Sequence, residues 1–405
     1  MFNLNHFINF LRIEFRRRKS KKRGGKFKLK IGNLPSFFQA LNQAGIPYVV
    51  LRWFEEVPLT DLEEKEAIND IDFLFQHSDL KKIIRIGSQH PGKILAEFYS
   101  VSGKKGTSAR GLPYYPPALA SHIIENRILY KNTFYVPAPY EHFQSLCFHL
   151  VFHKGYDSGL PIDQDTPPKQ TPKRDYADLL QQLAKKENIT LEQPITLESL
   201  NLYLSKTQWT MPYDLKRRWR FSQKEWIEHL WKEEEKRDFT YAKKIPHLIV
   251  FLIRSDGSDS PEILQATIQK IKKHFTIEQT IELDEESQNR VIQNVRGGNW
   301  IEHGGKTLIP PTFALLCFDP SPQTFSKSHP DFRKNPHVTN ANVLLKKEIR
   351  EQINNDFPST NKKRVVLHSS DNTMEAHHHL LYVCGKENYI SICEKLMGQI
   401  SLLNT

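Results

Sequence analysis

The chain has only four cysteines in 405 residues, and Cys147, Cys317, Cys384 and Cys393 are scattered without metal-ligand spacing. That excludes a disulfide-stapled scaffold and a zinc module. Long apolar runs are missing too, since none approaches the ~18 residues that a bilayer-spanning helix requires. Near the start the apolar residues precede the positive charges, the reverse of a secretory signal, and no small-residue cleavage site stands out. The expected location is cytoplasmic, with peripheral attachment to the inner membrane as its extension.

A basic field over the body is also absent. The net charge is +11, but residues 1 to 30 hold eleven Lys or Arg, from Arg12 to Lys30, against Glu14 alone, so this arm supplies +10 of it. A nucleic-acid groove needs positive charge spread over the folded surface with aromatic platforms between, so nucleic acid is the disfavoured partner. Within the arm, Leu4, Phe7, Ile8, Leu11 and Phe15 recur at helical spacing ahead of the basic cluster. Such a segment can lie in the headgroup layer of an anionic membrane; a solvated arm or an RNA-sticky tail is the alternative.

What is present is an ordinary globular composition, 39% apolar and 25% charged, with length for two or three domains. From Pro35 the pattern predicts a helix (SFFQALNQAG), a strand (PYVVLRWF) and a charged loop (TDLEEKEA). A strand bearing two carboxylates (NDIDFLF), a helix (LKKIIRI) and a strand bearing one (ILAEFYSV) follow. Residues 137 to 155 predict a helix with a Pro-rich entrance and a Gly155 exit, carrying His142, His149, His153 and Lys154. A Pro-rich link and a helical extension with Trp209, Trp219, Trp226 and Trp231, read as packing residues, run to 244. After His247 strands and helices alternate from HLIVFLIR to KRVVLHS and a last helix, two βαβ-like halves that predict a ferredoxin-like sandwich. The expected fold is α+β, with an arm at 1–30, a mixed-sheet domain at 31–160, the extension at 161–244 and the sandwich at 245–400.

Chemistry concentrates on Asp70 and Asp72. Two carboxylates one residue apart on a strand project to one face, where their oxygens can share magnesium with a nucleoside triphosphate. Glu97 is placed as a third acid, either on the metal or as a base; an ordinary glutamate on a half-exposed strand is the alternative. Arg52 and Lys154 would steady phosphates. His149 and His153, four apart on one helix face, lack a third ligand and read as half-buried helical histidines. The segment RGGNWIEHGG (296–305) reads as a mobile loop, and His377, His378 and His379 as surface composition.

The strings YVVLRWFEEVP, NDIDFLF, FYSVSGKKGTSARGLPYYPP and FHLVFHKGYDSGLP resemble, in that order, a family of bacterial nucleotidyltransferase-like proteins of the polymerase-beta-type superfamily, over about residues 35 to 165. The resemblance implies metal roles for Asp70, Asp72 and Glu97. The chain departs from it in lacking the Gly-Ser turn that cradles the triphosphate, with Arg52 and Trp53 in that neighbourhood, and in carrying Glu97 where Asp is commoner. More weakly, IRSDG (253–257) and LHSSDN (367–372) resemble segments of nucleoside diphosphate kinase, which implies His368 as a phosphoryl acceptor. A neutral imidazole suits that role, and Arg254, Arg296 and Arg350 could neutralise the developing oxygens.

Three readings therefore stand. The first is a magnesium-dependent nucleotidyltransferase-like protein acting on a hydroxyl of a small molecule, sugar-phosphate or membrane-linked glycan. The second moves the chemistry to His368 as a phosphotransferase. The third is a nucleotide-binding scaffold without turnover.

Overall fold

Strand sequences with a period of two build the first sheet. A computed structural model describes all residues except 1–3, 23–25, 60–69, 172–173, 220–222, 301–307, 327–328, 332–334, 336, 360–362 and 404–405. The charged loop predicted at TDLEEKEA lies outside the described residues. The chain divides into two compact units, the first holding most of residues 1–211 with 218–229, the second 212–217 and most of 230–405.

In the first unit, β1 (Phe27–Ile31), β2 (Tyr48–Val50), β3 (Ile71–Phe75) and β4 (Ile94–Ser100) lie in the order β1-β4-β3-β2. β3 and β4 are parallel, and the two outer pairs are antiparallel. The edge strand β1 alternates, with Phe27, Leu29 and Ile31 buried and Lys28 and Lys30 outward. This corrects the arm boundary at residue 30, because the arm's last residues are a strand of the sheet. The helix before it, α1 (Leu4–Lys22), also sets Phe10 and Ile13 against the same core. Phe73 on β3 and its register partner Phe98 on β4 stack at 4.6 Å. Over them close α2 (Leu34–Gln43), with Phe37 and Phe38, and the β3–β4 crossover helix α3 (Leu80–Gln89), with Ile83 and Ile84.

Beyond α4 (Pro117–Glu125) and the hairpin of β5 (Arg127–Tyr130) and β6 (Phe134–Pro137), helix α5 (Pro139–Phe148) runs into a π-helical turn, His149–Lys154. The turn stops at Gly155, whose φ of +49° favours glycine and where a Cβ would press to 3.0 Å of Gln223 and Trp226. Helices α6 (Tyr176–Lys186) and α7 (Leu197–Lys206) pack on α5. Trp209, Trp219 and Trp226 are buried, and Trp226 donates to the Val151 carbonyl at 2.8 Å.

The second unit opens with the short helix α8 (Tyr213–Arg217) and takes in the end of α9 (Lys224–Asp238). Its sheet of β7 (Leu248–Arg254), β8 (Thr276–Glu282), β9 (Pro311–Phe318) and β10 (Leu367–Ser369) is antiparallel in the order β10-β7-β9-β8. The unbroken apolar run of β7 follows from burial on both faces. On one side α10 (Pro261–Lys272) brings Ile263 and Ile271. On the other α11 (Glu285–Asn294) brings Val291. α12 (Lys346–Asp356) joins the first side and α13 (Thr373–Leu403), broken at Gly385, the second.

Three expectations for this unit are corrected. KRVVLHS is a strand only from Leu367, because Val366 takes a left-handed φ of +64° and the Asp256 carboxylate accepts from the N–H groups of Val365 and Val366. His377, His378 and His379 are fully buried instead of lying on the surface. α13 is buried on all sides there: Ala376 and Leu380 face the sheet, while His378 packs on Tyr213 and Phe239. The described part of RGGNWIEHGG is not open loop either. Trp300 is fully buried and the Gly297 N–H donates to Asp214 at 2.8 Å, while residues 301–305 lie outside the described residues.

Candidate functional site

The parallel register of β3 and β4 sets Asp72 directly beside Glu97, and β1 sets Lys28 beside Glu97 on its other flank. Asp70, two residues before Asp72, shares its face. Each of Asp70, Asp72 and Glu97 offers an oxygen within 4.8 Å of the others. The two members on strands are drawn into the fold, and Asp70 is exposed. Glu97 is only 3% exposed, so it is not the half-exposed strand glutamate of the bland alternative.

Cations surround the three acids. Arg52, buried at the end of β2, pairs with Asp72, and its guanidinium lies 5.2 Å from the Tyr114 ring centre. The guanidinium expected to steady phosphates is thus paired with Asp72 beneath the tyrosines. Glu97 accepts from Lys26 at 2.7 Å, Lys28 at 2.5 Å and the Tyr99 hydroxyl at 2.5 Å. Asp70 alone of the three receives no hydrogen bond or ion pair among the described residues.

The electrostatics follow from these contacts. Burial pushes Glu97 up, but the hydrogen bonds from Lys26, Lys28 and Tyr99 overcome it and hold the carboxyl at about 2. Burial raises Asp72, Arg52 pulls it down, and the neighbouring Asp70 and Glu97 add to the rise. A group whose folded pKa lies below its unfolded value stabilises above the unfolded pKa and loses that contribution as pH falls toward the folded one. Between pH 4.5 and about 2 the protein should therefore lose stability through Glu97. Denaturant melts across that range should show a shallower loss in Glu97→Gln; an identical acid slope would contradict the assignment.

A neutral aromatic wall stands behind the acids. The Tyr114 ring stacks on His153 at 4.0 Å, its hydroxyl meets His149 Nδ1 at 3.0 Å, and His153 Nε2 donates to the Tyr114 carbonyl at 2.8 Å. Burial, helped by the Arg52 charge, holds both imidazoles well below their ordinary pKa and hence neutral. Both are buried outright, beyond the half-burial expected of them, and serve Tyr114. Such π turns recur at functional sites. At its end Lys154 is half-exposed and makes no hydrogen bond or ion pair among the described residues. Its charge reaches His149 and His153, so it stands near the same wall with its ammonium available.

Two joined grooves between α1 and β1 add a basic approach. One, about 430 Å³, is lined by Arg16, Arg17, Lys26, Lys28 and Lys30; the other shares Arg16, Lys28 and Lys30 and adds Arg12. Lys28 thus faces both grooves as well as Glu97, and Lys26 the first groove and Glu97. Sequence reasoning missed them, together with Tyr99, Tyr114 and Tyr115. The alternation of FKLKI was the available signal for Lys28.

In the second unit, IRSDG and LHSSDN do meet, through the pairing of Ile253 with Leu367, and the Arg254 N–H bonds the carbonyl of Val366 just ahead of it at 2.8 Å. His368 is half-buried, 6.2 Å from the Trp300 ring and 5.6 Å from His379, and burial with the charges of Arg296 and Lys346 keeps it neutral. Two of the arginines expected to serve it are bonded to main-chain carbonyls. Arg254 donates to the carbonyls of Ile309 and Trp300, and Arg350 to that of Leu367. Both answer backbone oxygens that would otherwise be buried unpaired. Arg296 lies 5.2 Å from the Trp300 ring. Lys346 instead bonds Ser369 at 3.0 Å and Asp371 at 2.9 Å.

No protein-family model, curated protein or solved structure matches this chain. What the site can do rests on its own chemistry. Three clustered carboxylate oxygens suit a hard divalent cation such as magnesium, with Asp70 as the ligand open to it.

Proposed function

We propose that the first unit is a magnesium-dependent nucleotidyltransferase-like domain that transfers a nucleotide to a hydroxyl of a sugar-phosphate or a membrane-linked glycan. The observation that carries this reading is the meeting of Asp70, Asp72 and Glu97 within 4.8 Å on neighbouring parallel strands, with Asp70 left open. Asp70, Asp72 and Glu97 would hold the metal, which would supply positive charge against a triphosphate. Lys154 would steady the phosphates, and the Tyr114–His153 stack would exclude water from one side. In the transfer, the acceptor oxygen bonds to the α-phosphorus, the bond to the β-phosphate oxygen breaks, pyrophosphate leaves and the acceptor proton passes to solvent. A carboxyl held near 2 is a poor base, which favours Glu97 as a ligand over a proton acceptor. The basic grooves beside Lys26 and Lys28 favour an acceptor that carries negative charge.

The second unit's strand order, with its first and third strands central, supports the ferredoxin-like reading, and neutral His368 beside Arg296 and Lys346 keeps phosphotransfer as the second function. One experiment separates them. The protein is incubated with α- or γ-labelled triphosphates, magnesium or EDTA, and phosphorylated sugar and lipid acceptors. Magnesium-dependent α-label on an acceptor supports the proposal. Acid-labile γ-label on the protein, lost in His368→Ala, would replace it with phosphotransfer, and triphosphate binding without either product would leave the scaffold reading.

A further inference from the structure

Eleven large apolar side chains are exposed among the described residues, and five of them belong to one helix. Leu4, Phe7, Ile8, Leu11 and Phe15 of α1 are between 37% and 70% exposed. At about 100° per residue they fall on one face. The remaining six are spread over five separate segments and form no comparable stripe. The opposite side of α1 is already used, since Phe10 and Ile13 are packed against the first unit's core. α1 is therefore anchored by one face while its apolar stripe meets solvent. Arg12, Arg16 and Lys19 run along one flank of that stripe and Arg18 stands at its C-terminal end, all four exposed.

We propose that α1 is a docking helix that lies in the headgroup layer of an anionic bilayer, with Leu4, Ile8, Leu11 and Phe15 among the acyl chains. Arg12, Arg16, Arg18 and Lys19 would meet the lipid phosphates. No described helix is long and apolar enough to cross a membrane, so the contact is interfacial. The charge pattern selects this occupant. A second copy on the same face would set four cations against four cations, a repulsive isologous contact. An RNA backbone would satisfy the cations but leave the aliphatic stripe in water. An anionic bilayer answers both halves, with the long basic side chains reaching up to the phosphates. The inference does not depend on the nucleotidyltransferase reading: Arg12 and Arg16 also line the basic grooves, but Leu11 and Phe15 belong neither to these nor to the acidic site.

The test is flotation of the full chain with phosphatidylcholine vesicles, with and without phosphatidylglycerol, at low and high salt. Binding should require phosphatidylglycerol and fall with salt. Leu11→Ser/Phe15→Ser should weaken it by at least about 10-fold, and Arg12→Gln/Arg16→Gln by roughly 10-fold or more. Both pairs are exposed, so an unchanged denaturation midpoint confirms that the fold is kept. Equal binding to neutral vesicles, no binding, or binding unaffected by Leu11→Ser/Phe15→Ser would overturn the proposal. So would dimerisation or RNA binding through α1 in place of vesicle binding.

Discussion

Replacing Arg52 with methionine should lower the unfolding free energy by about 3–5 kcal/mol, the usual cost of stripping the partner from a buried charge. Arg52 is 8% exposed and its guanidinium is shared between Asp72, the face of Tyr114 and the hydroxyl of Tyr115. Methionine fills much of the volume but answers none of the charge. Asp72 would then remain beside Asp70 and Glu97 with only the lysines on Glu97 nearby, and its carboxyl would rise further. A carboxyl whose folded pKa exceeds its unfolded value stabilises below the unfolded pKa and loses that contribution as pH rises through the folded one. The deficit of Arg52→Met should therefore be smaller near pH 4 than at pH 7. Adding Asp72→Asn removes the orphaned charge, and the double variant should recover at least about half of the loss. Urea melts of the four proteins at both pH values complete the cycle. A wild-type midpoint for Arg52→Met would show that Asp72 does not rely on this guanidinium.

The acidic trio was legible because its signals are local. Asp70 and Asp72 need only the period of a strand to share a face, and Glu97 needs only the next strand. What surrounds them was not legible, because it depends on pairing between distant segments. Lys26 lies seventy-one positions from the carboxylate it grips, and only the β1–β4 register brings them together. A basic tract reads as a solvated arm until its alternating end is seen to complete a sheet edge. The pairing of Arg52 with Asp72 was hidden for a related reason. Sequence shows a cation near an acid pair but not whether the guanidinium faces solvent or the protein's own carboxylate.

In the second unit the alternation of strands and helices was plain, and burial of β7 on both faces is what its continuous apolar run requires. The roles of individual residues were not. Arg254 and Arg350 answer main-chain carbonyls, a demand set by backbone placement that no motif spells out. The histidine triplet misled because three consecutive positions on a helix point in different directions. That argues against a single metal ion, but a helix enclosed on every side can bury all three.

Asp70→Asn should cut nucleotidyl transfer by on the order of 10³-fold while leaving stability within about 0.5 kcal/mol of wild type. The activity loss would follow from removing an open carboxylate from the set proposed to hold the metal, whose contribution to charge stabilisation amounts to several kcal/mol. At about 1.4 kcal/mol per decade that is at least three decades. The stability is spared because Asp70 is exposed and carries no hydrogen bond or ion pair among the described residues. Its loss even relieves Asp72, which the Asp70 charge pushes upward. Asp72→Asn should lose both properties, since Arg52 would be left buried beside a neutral amide. Isothermal titration with manganese, read beside urea melts, tests this split without depending on the acceptor. Weak or absent manganese binding by Asp70→Asn with an unchanged melt marks Asp70 as the ligand. Undiminished manganese binding in that variant would instead leave the acids as a structural ion network, with Lys26, Lys28 and Arg52 taking the place of a metal.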